Sequence, residues 1–577
     1  MAAFAAVVAV TILAGHPETA FKVFLFTGSY AVYRATASGR MTRTLAVVCG
    51  GALLGALLCS IQLLPFLEYV AHSRVFAMRA SHGRPLFLNP ASSFVTAFVP
   101  DFYGTPLVHR FALDGTNYNE QQTYPGVVTW AFAAMALFHR QQRGRVAFFI
   151  CSALVAALIM YGTFVTRLAL VLVPPLRVVA LSRFGLITIT GLAIGAAVGV
   201  DAFLDDSTEP RRRRRLAFAV TAMAVAILLV VFGFLRASRD LLAYSRLAAQ
   251  TARAVTSAAQ LLGAAVALVW LAPALLRPMT SVFAIALLSV DLLAFAGGFH
   301  PFMPRALVFP EIAELDVPRR DASVFRVTGW QDALPPNTAM VYGLRDLRSY
   351  DGIGLREYSD LLDVGFKFDG VTHQFVNTAT LHLVDLLNVK YVVTGRDVEL
   401  PGNHFQLVND GPSRLYVNTH VQPRAFLADA HRVLDRHTAL RTLRDATVDL
   451  TRVAVLNDRL DSALQPDAAR SAVGTAAIRR YEDGVVTIDT RADGRRLLVL
   501  TDAFYPGWIA RVDGVEVPIQ RADFAFRAVG VPAGEHVVEF RYEPASVRYG
   551  ALLSLAGAIV LLALIATVRR GARTASR

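Results

Sequence analysis

The sequence predicts a polytopic α-helical membrane protein with one large water-exposed domain inserted before its last membrane helix. The first observation is a series of long apolar segments, since a hydrocarbon core of about 30 Å needs roughly 20 apolar residues per helix. The second is a mostly polar region, 300–548, which is followed by a final apolar segment, 549–568. The third is the composition, because 54% of the 577 residues are hydrophobic. Together they predict a helical membrane bundle that carries a soluble domain.

About ten segments are candidate transmembrane helices. The first two are short and meet at Gly15-His16-Pro17-Glu18, so they form either two tilted spans or one broken hairpin. In chain order the ten are 2–14, 19–33, 45–67, 124–138, 146–163, 184–203, 216–235, 254–273, 280–297 and 549–568.

Arginine in the connecting segments predicts the orientation. Four arginine-rich segments, 34–43, 140–145, 211–215 and 569–577, fall on the same side when the ten spans are threaded in order. Basic loops favour the cytoplasmic side of a membrane. We therefore expect a multi-pass protein of the cytoplasmic membrane with a cytoplasmic C-terminus, and with loop 70–123 and the domain 300–548 outside.

Charge and cysteine content exclude several classes of function. The net charge is +13, carried mostly by arginines near the membrane, and no basic stripe with interleaved aromatics is present, so nucleic acid is not an expected partner. All three cysteines lie in predicted spans, which predicts an outer domain without disulfides. No nucleotide-binding, dinucleotide-binding or metal-ligand motif is present, so no cofactor and no metal site are expected, although the sequence leaves a divalent cation open.

The chain divides into four predicted parts. Residues 1–299 form the membrane domain with its outer loop 70–123, and 547–577 form the last membrane helix and a basic tail. Residues 300–475 are predicted as mixed α/β, with a short helix at 381–388 that leads into a strand at 389–393. Residues 476–546 are predicted as a β-sandwich, because 538–543 alternates apolar and charged residues and Asp513-Gly514 is a two-residue hairpin signal.

Several short motifs resemble the YfhO-type bacterial membrane protein family, in the same order along nearly the whole chain. The most specific is the C-terminal group 501–508, 512–514 and 531–536. Weaker pieces are 15–18, 119–126, 334–337, 349–351, 387–391 and 423–426. The resemblance implies a GT-C-like membrane glycosyltransferase. Such an enzyme moves a sugar from a polyprenyl-phosphate carrier to a cell-envelope polymer or lipid at the outer membrane face.

One departure from the family leaves the activity open. The resemblance implies an acidic catalytic residue in a first outer loop, and that residue has no counterpart in these 577 residues. We therefore expect either an N-terminally truncated transferase or a version without this chemistry. The alternative function is a non-catalytic envelope protein whose outer domain binds glycan or a protein partner.

Four residues are candidates for contact with the donor. Arg177 and Arg183 flank a Pro-Pro stretch at the predicted outer face, where guanidinium groups either bind the carrier phosphate or extend to lipid headgroups. His16 and Glu18 lie at the break between the first two spans, where they either line the site or begin the following helix.

Two carboxylates in the outer loop, Asp101 and Glu120, are the candidate catalytic bases; substrate hydrogen bonding and plain solvation are the alternatives. Asp291, inside a predicted span, is expected to form a helix-packing hydrogen bond. The segment 236–253 carries four arginines and is predicted as an amphipathic helix on the outer leaflet. In the sandwich, Tyr505 and Trp508 either stack on a sugar ring or pack in the core.

Overall fold

A computed structural model describes the fold of two compact units. It describes residues 1–74, 79, 87–105, 118–139, 142–205, 210–243, 245–272, 277–297, 302–350, 353–369, 375–460, 466–467 and 474–575. Unit 1 comprises residues 1–55 and 79–303, and unit 2 comprises 56–78 and 304–577. Parts of the predicted outer loop 70–123, Arg140 and Arg577 lie outside the described residues.

Unit 1 is helical. Its described helices are α1 (Ala2–Leu13), α2 (Pro17–Ser38), α3 (Met41–Leu58, whose last residues belong to unit 2), α5 (Tyr118–Gln121), α6 (Val127–Ala136), α7 (Arg143–Met160), α8 (Phe164–Leu172), α9 (Gly185–Asp205), α10 (Pro210–Ala237), α11 (Ser245–Leu271) and α12 (Arg277–Gly297). Short 3-10 turns at Ala91–Ala97, Pro174–Val178, Leu181–Phe184 and Leu241–Ala243 connect them. The 3-10 turn at Leu241–Ala243 corrects one prediction. Segment 236–253 is not a single amphipathic helix but the end of α10, a 3-10 turn and the start of α11.

Seven helices in the described part of the chain are long and apolar enough to cross a membrane, so the protein is a multi-pass membrane protein. They are Met41–Leu58, Arg143–Met160, Leu181–Asp205, Pro210–Ala237, Leu247–Leu271, Pro278–Gly297 and Ala545–Arg570. Each overlaps a predicted span. The other three predicted spans fall on α1 and α6, which are shorter, and on α2, which has the length but not the apolar composition. The count of ten therefore stays a prediction.

Helix α6 is the buried centre of unit 1. It packs against α9, α10, α11 and α12, and nine of its ten residues are buried. Ten residues of helix span only about 15 Å, half the thickness of a hydrocarbon core. Glycines allow the close packing, since a Cβ at Gly199 of α9 would lie 2.2 Å from the carbonyl oxygen of Phe132. Helix α6 is thus a core element of unit 1, and its apolar side chains pack against the surrounding helices.

Unit 2 combines helices with four sheets. The helices are α4 (Ser60–Ala71), α13 (Asp316–Arg320), α14 (Arg356–Gly365), α15 (Leu381–Leu386), α16 (Arg436–Asp445) and α17 (Ala545–Ala575). The strands are β1 (Arg326–Gly329), β2 (Phe366–Asp369), β3 (Phe375–Ala379), β4 (Val389–Thr394), β5 (Phe405–Asp410), β6 (Arg414–Asn418), β7 (Ala425–Ala428), β8 (Ala430–Val433), β9 (Val453–Leu456), β10 (Thr475–Glu482), β11 (Val485–Ala492), β12 (Arg496–Ala503), β13 (Trp508–Val512), β14 (Val515–Val517), β15 (Gln520–Ala522), β16 (Phe526–Val531) and β17 (Gly534–Tyr542).

Two of these sheets form the sandwich. The five-stranded sheet has the order β10-β11-β17-β13-β14, and the six-stranded sheet has the order β7-β12-β16-β15-β9-β8. Side chains of β7, β12 and β16 form one buried cluster with those of β11, β13 and β17. The six-stranded sheet joins strands from both sides of residue 475. It is buried on both faces, which explains why β12 contains the unbroken apolar run 497–500.

Local sequence signals in unit 2 are confirmed. Residues Asp513 and Gly514 have φ of 49° and 84° in the turn between the antiparallel strands β13 and β14. In β17, Val538 and Phe540 are fully buried, as their alternation predicts. Helix α15 leads into β4, as expected. A four-stranded sheet, β1-β4-β6-β5, and the hairpin β2-β3 complete the unit.

Helix α4 packs against the last helix, α17. The backbone N–H of Ile61, in the first turn of α4, donates to Ser554 Oγ of α17 at 3.0 Å. Ser546 Oγ donates to Glu68 Oε2 at 2.6 Å. A Cβ at Gly550 would lie 2.5 Å from the carbonyl oxygen of Ser60, so only glycine fits this crossing.

Candidate functional site

Four of the predicted site residues, His16, Glu18, Glu120 and Arg183, meet in one group of polar side chains in unit 1. Arg183 donates from Nε and Nη2 to the Glu120 carboxylate, at 3.0 and 2.6 Å. Its Nη1 donates to Glu18 Oε2 at 3.3 Å and lies 2.9 Å from His16 Nε2. His16 is the N-cap of α2, and its Nδ1 accepts the N–H of Thr19 at 3.2 Å. The residues that begin helix α2 thus also contact Arg183, and their role in lining a site stays a prediction.

Two further cations complete this group. Arg79 donates to Glu18 Oε1, and buried Lys22 lies 3.8 Å from Glu18 Oε2. We call Glu18, Glu120, Arg79, Arg183 and Lys22 the acid–arginine cluster. It contains three cations and two carboxylates, so its opposite charges nearly balance.

Glu120 is ionised in this cluster. Burial raises the pKa of Glu120, but the hydrogen bonds and charge of Arg183, together with a hydrogen bond from Ser182, outweigh it and place the pKa below its usual value. A paired carboxylate with a lowered pKa is a weak general base. The geometry therefore favours a positioning role for Glu120 over proton transfer.

Replacing Glu120 is expected to destabilise unit 1. A Glu120→Gln variant keeps the shape but removes the charge that Arg183 contacts, which costs about 1–2 kcal/mol for a partly exposed pair. Thermal unfolding in detergent should therefore occur a few degrees lower. Arg177→Gln is the matched control, because Arg177 is exposed and none of the described residues forms an ion pair with it. Equal melting temperatures for the two variants would contradict the cluster.

The other candidate base, Asp101, lines a separate cavity of unit 1. This bundle cavity has a volume of about 840 Å³ and is lined by side chains that include Asp101, Tyr124, Gln250, Arg253, Asp291 and Phe295. Tyr118 OH donates to Asp101 Oδ1 at 3.2 Å. Burial raises the pKa of Asp101, and this hydrogen bond only partly opposes the shift. A carboxylate with a raised pKa is better suited than Glu120 to accept a proton near neutral pH.

Asp291 forms the helix-packing hydrogen bonds expected of it. It accepts the hydroxyl of Tyr124, and its Oδ2 accepts the N–H of Val128 at 3.0 Å. These bonds connect α12 to the first turn of α6. Asp291 is 1% exposed, so it is part of the cavity wall rather than a freely solvated acid.

Residues 118–124 connect the cluster and the cavity. Within these seven residues, Tyr118 contacts Asp101, Glu120 contacts Arg183, and Tyr124 contacts Asp291. A shift of this segment would therefore change both places at once. The charged cluster fixes the segment, and the segment in turn positions the two carboxylates of the cavity.

The two aromatic candidates lie in unit 2, at a second cavity. This aromatic cavity has a volume of about 450 Å³ and is lined by side chains that include Tyr69, Tyr481, Tyr505, Trp508, Arg527 and Tyr542. Tyr505 and Trp508 are half-buried. The face of Trp508 lies 3.7 Å from the guanidinium carbon of Arg527. Both residues thus border open space and also pack against neighbours.

Comparison with known protein families finds one match, in unit 2. Residues 430–554 match the family model of the bacterial membrane protein YfhO. The resemblance inferred from the sequence is confirmed over these residues. No curated protein and no solved structure gives a significant match.

The YfhO match contains most of the sandwich and the start of α17. Tyr505, Trp508 and the 513–514 hairpin lie within it, whereas the acid–arginine cluster and the bundle cavity lie outside. The match therefore shows a similarity to YfhO within unit 2, and it leaves the role of unit 1 to be argued from geometry.

Outside the YfhO match, the structure adds residues that the sequence did not single out as a site. Arg253 lies in α11 and borders the bundle cavity. His139, Asp201 and Asp205 bring ligand atoms within 4.8 Å of one another. The sequence did not identify this group, because His139 follows α6 whereas both aspartates lie at the end of α9, far along the chain. The arginine-rich segment 236–253 was the feature of the sequence that could have identified Arg253.

Proposed function

We propose that the protein is a membrane glycosyltransferase that uses the bundle cavity of unit 1. The donor would be a sugar on a polyprenyl-phosphate carrier, and the acceptor a cell-envelope polymer or lipid. The reaction would take place at the outer face of the cytoplasmic membrane, with the domain 300–548 outside and the C-terminus inside, as the arginine distribution favours.

The observation that carries this proposal is that Asp101 and Arg253 both line the bundle cavity among apolar helices. Glycosyl transfer from a lipid phosphate needs a base for the acceptor hydroxyl and a cation for the departing phosphate. A volume of about 840 Å³ is in the range of small-molecule sites. In this cavity Asp101 can supply the base and Arg253 the cation. Arg183 is not needed for either role, and its guanidinium is already bound by Glu120 and Glu18.

In the proposed reaction, Asp101 accepts the proton of the acceptor hydroxyl as its oxygen attacks the anomeric carbon of the sugar. The bond between that carbon and the phosphate oxygen breaks, and the polyprenyl phosphate leaves with the electron pair. Arg253 stabilises its negative charge. Asp291 and Tyr124, which are hydrogen-bonded to each other, line the same cavity, and the acid–arginine cluster fixes the segment that presents Tyr118 to Asp101.

An Asp101→Asn variant tests this assignment. With purified full-length protein in nanodiscs, undecaprenyl-phosphate-[¹⁴C]glucose as donor and native membrane vesicles as acceptor, transfer should fall at least about 100-fold, the usual effect of losing a general base. Asp240→Asn is the control, because Asp240 is exposed and, in the described part of the chain, pairs only with its neighbour Arg239. Equal transfer by the Asp101 variant and the wild type would overturn the assignment. The wild type should also be tested with glucose, galactose and N-acetylglucosamine on this carrier. If it transferred none of the three, the alternative of a non-catalytic envelope protein would replace the proposed glycosyltransferase.

A further inference from the structure

The lining of the aromatic cavity of unit 2 includes part of an unusual charge arrangement. Three arginines surround the carboxylate of Asp502, and their side chains are only 3–8% exposed. Arg424 Nε donates to Asp502 Oδ1 at 2.9 Å, and Arg527 Nη2 donates to Oδ2 at 3.0 Å. Arg326 Nη2 lies 4.0 Å from Oδ1. One carboxylate therefore faces three buried cations, and positive charge remains in excess.

Several donors of these arginines have no acceptor among the described residues. They are Nε and Nη1 of Arg527 and Nη1 of Arg424, and all three atoms are buried. Arg527 borders the cavity directly. A buried donor without a partner costs about 1–3 kcal/mol, and more when it is charged. Such donors persist where a ligand supplies the acceptor, and the planar fork of guanidinium matches an oxyanion.

The acidic groups near the cavity do not cancel this excess. Glu482 and Asp483 border it but are exposed, and Glu482 pairs with Arg480 at 2.6 Å. Glu68 accepts a hydrogen bond from Ser546. At the cavity edge, exposed Arg345 adds another cation, with its guanidinium carbon 4.7 Å from the centre of the Tyr481 ring. Solvent screens the exposed acids more than the buried arginines.

Much of the remaining wall is aromatic. Tyr69, Tyr505, Trp508 and Tyr542 present ring surfaces to the same space as Arg527. Aromatic side chains combine an apolar face with a polar tip, which suits a ring that has both C–H and hydroxyl groups. A lipid phosphate alone would use the arginines and leave these rings without a role.

We infer that the aromatic cavity is a binding site for a sugar that carries an oxyanion, either phosphate or carboxylate. Arg527 and Arg345, which line the cavity, hold the anion, and the aromatic rings contact the sugar. This site belongs to unit 2, and it shares no lining residue with the bundle cavity of unit 1. Binding here requires no glycosyl transfer, so the inference stands or falls independently of the proposed activity.

Calorimetry on the full-length protein in detergent tests the inference. The probes are glucose 1-phosphate and glucuronate, with glucose and inorganic phosphate as comparisons. Both anionic sugars should bind at least about tenfold more tightly than glucose and than inorganic phosphate, and added salt should weaken them. The Arg345→Gln and Arg527→Gln variants should each bind the anionic sugars about tenfold more weakly, or weaker still. Arg491→Gln is the control, since Arg491 is highly exposed and pairs with Glu535 on the same domain.

The other possible results of this experiment would each contradict a specific part of the inference. Arg345 is exposed, so its variant keeps the test valid even if Arg527→Gln fails to fold. Equal binding of glucose and the anionic sugars would overturn the anion site, as would unchanged binding by Arg345→Gln. Inorganic phosphate that binds as tightly as glucose 1-phosphate would overturn the sugar site. If nanodiscs of phosphatidylglycerol displaced glucose 1-phosphate and neutral nanodiscs did not, the site would belong to a lipid headgroup, and the sugar assignment would be wrong.

Discussion

An Asp502→Asn variant is expected to lose about 3–5 kcal/mol of the free energy of unfolding of unit 2, the usual cost of removing one partner from a buried ion pair. Asparagine nearly preserves the shape of the side chain but removes its charge. Three guanidiniums, those of Arg326, Arg424 and Arg527, would then repel one another in a buried space. Burial raises the pKa of Asp502, but the three arginines and Tyr481 outweigh it and keep the carboxylate ionised.

Denaturant unfolding of the full-length protein in detergent, followed by tryptophan fluorescence at neutral pH, measures this loss. Asp445→Asn is the matched control, because it removes a carboxylate that is paired with Arg444 at the surface. We expect that control to change the midpoint little. Unfolding midpoints that coincide for the two variants would show that the arginines do not depend on Asp502.

The opposite result is expected at a second buried aspartate of the same domain. Asp523 is fully buried next to β15, and its Oδ1 accepts the N–H of Val455 at 2.8 Å. Burial raises the pKa of Asp523 to about 7, and this hydrogen bond only partly opposes the shift. Unlike Asp502, it has no cation within ion-pair distance among the described residues. Its ionised form is therefore unfavourable in the folded state.

The sign of the pH effect follows from this raised pKa. Between the unfolded pKa of about 4 and the folded pKa near 7, the folded state binds the proton and the unfolded state does not. Stability should then fall as pH rises through this window and level off above it. An Asp523→Asn variant should remove this slope and stabilise the protein by about 2–3 kcal/mol at pH 8, where the wild type must bury a charge. Asparagine also tolerates the φ of 45° at this position.

Unfolding free energies at pH 5, 6, 7 and 8 test this prediction through the difference between wild type and variant. Other groups titrate equally in both proteins, so the difference isolates Asp523. A difference that stays constant with pH, or a variant that is less stable at pH 8, would contradict the buried ionisation.

Local chemistry made much of the fold predictable. The 513–514 turn, the alternation in β17 and the helix before β4 all depend on neighbouring residues, and the sequence predicted each of them. Seven apolar helices overlap predicted spans for the same reason, since length and hydropathy are local properties. The predicted spans on α1, α2 and α6 are not among these seven, and in α6 nine of the ten residues are buried among other helices.

Long-range pairing was not predictable. Strand β7 pairs with β12 across about 70 residues, and no local pattern identifies that partner. Asp101 and Arg253 border one cavity although they are far apart in the chain. Glu120 and Arg183 were each predicted as site residues, but not as partners of one another, and that pairing changes the chemistry expected of both.

The contact between α4 and α17 has a consequence for the order of biosynthesis. The first-turn N–H of Ile61 finds its acceptor in Ser554, which the ribosome adds 493 residues later. At roughly 5–20 residues per second, the delay is on the order of 25–100 s. During that interval the Ile61 amide lacks its Ser554 acceptor, and Ser60 lacks its contact with Gly550. The last helix therefore acts as a closing step of assembly, and a chain that stops before it leaves an early helix without its cap.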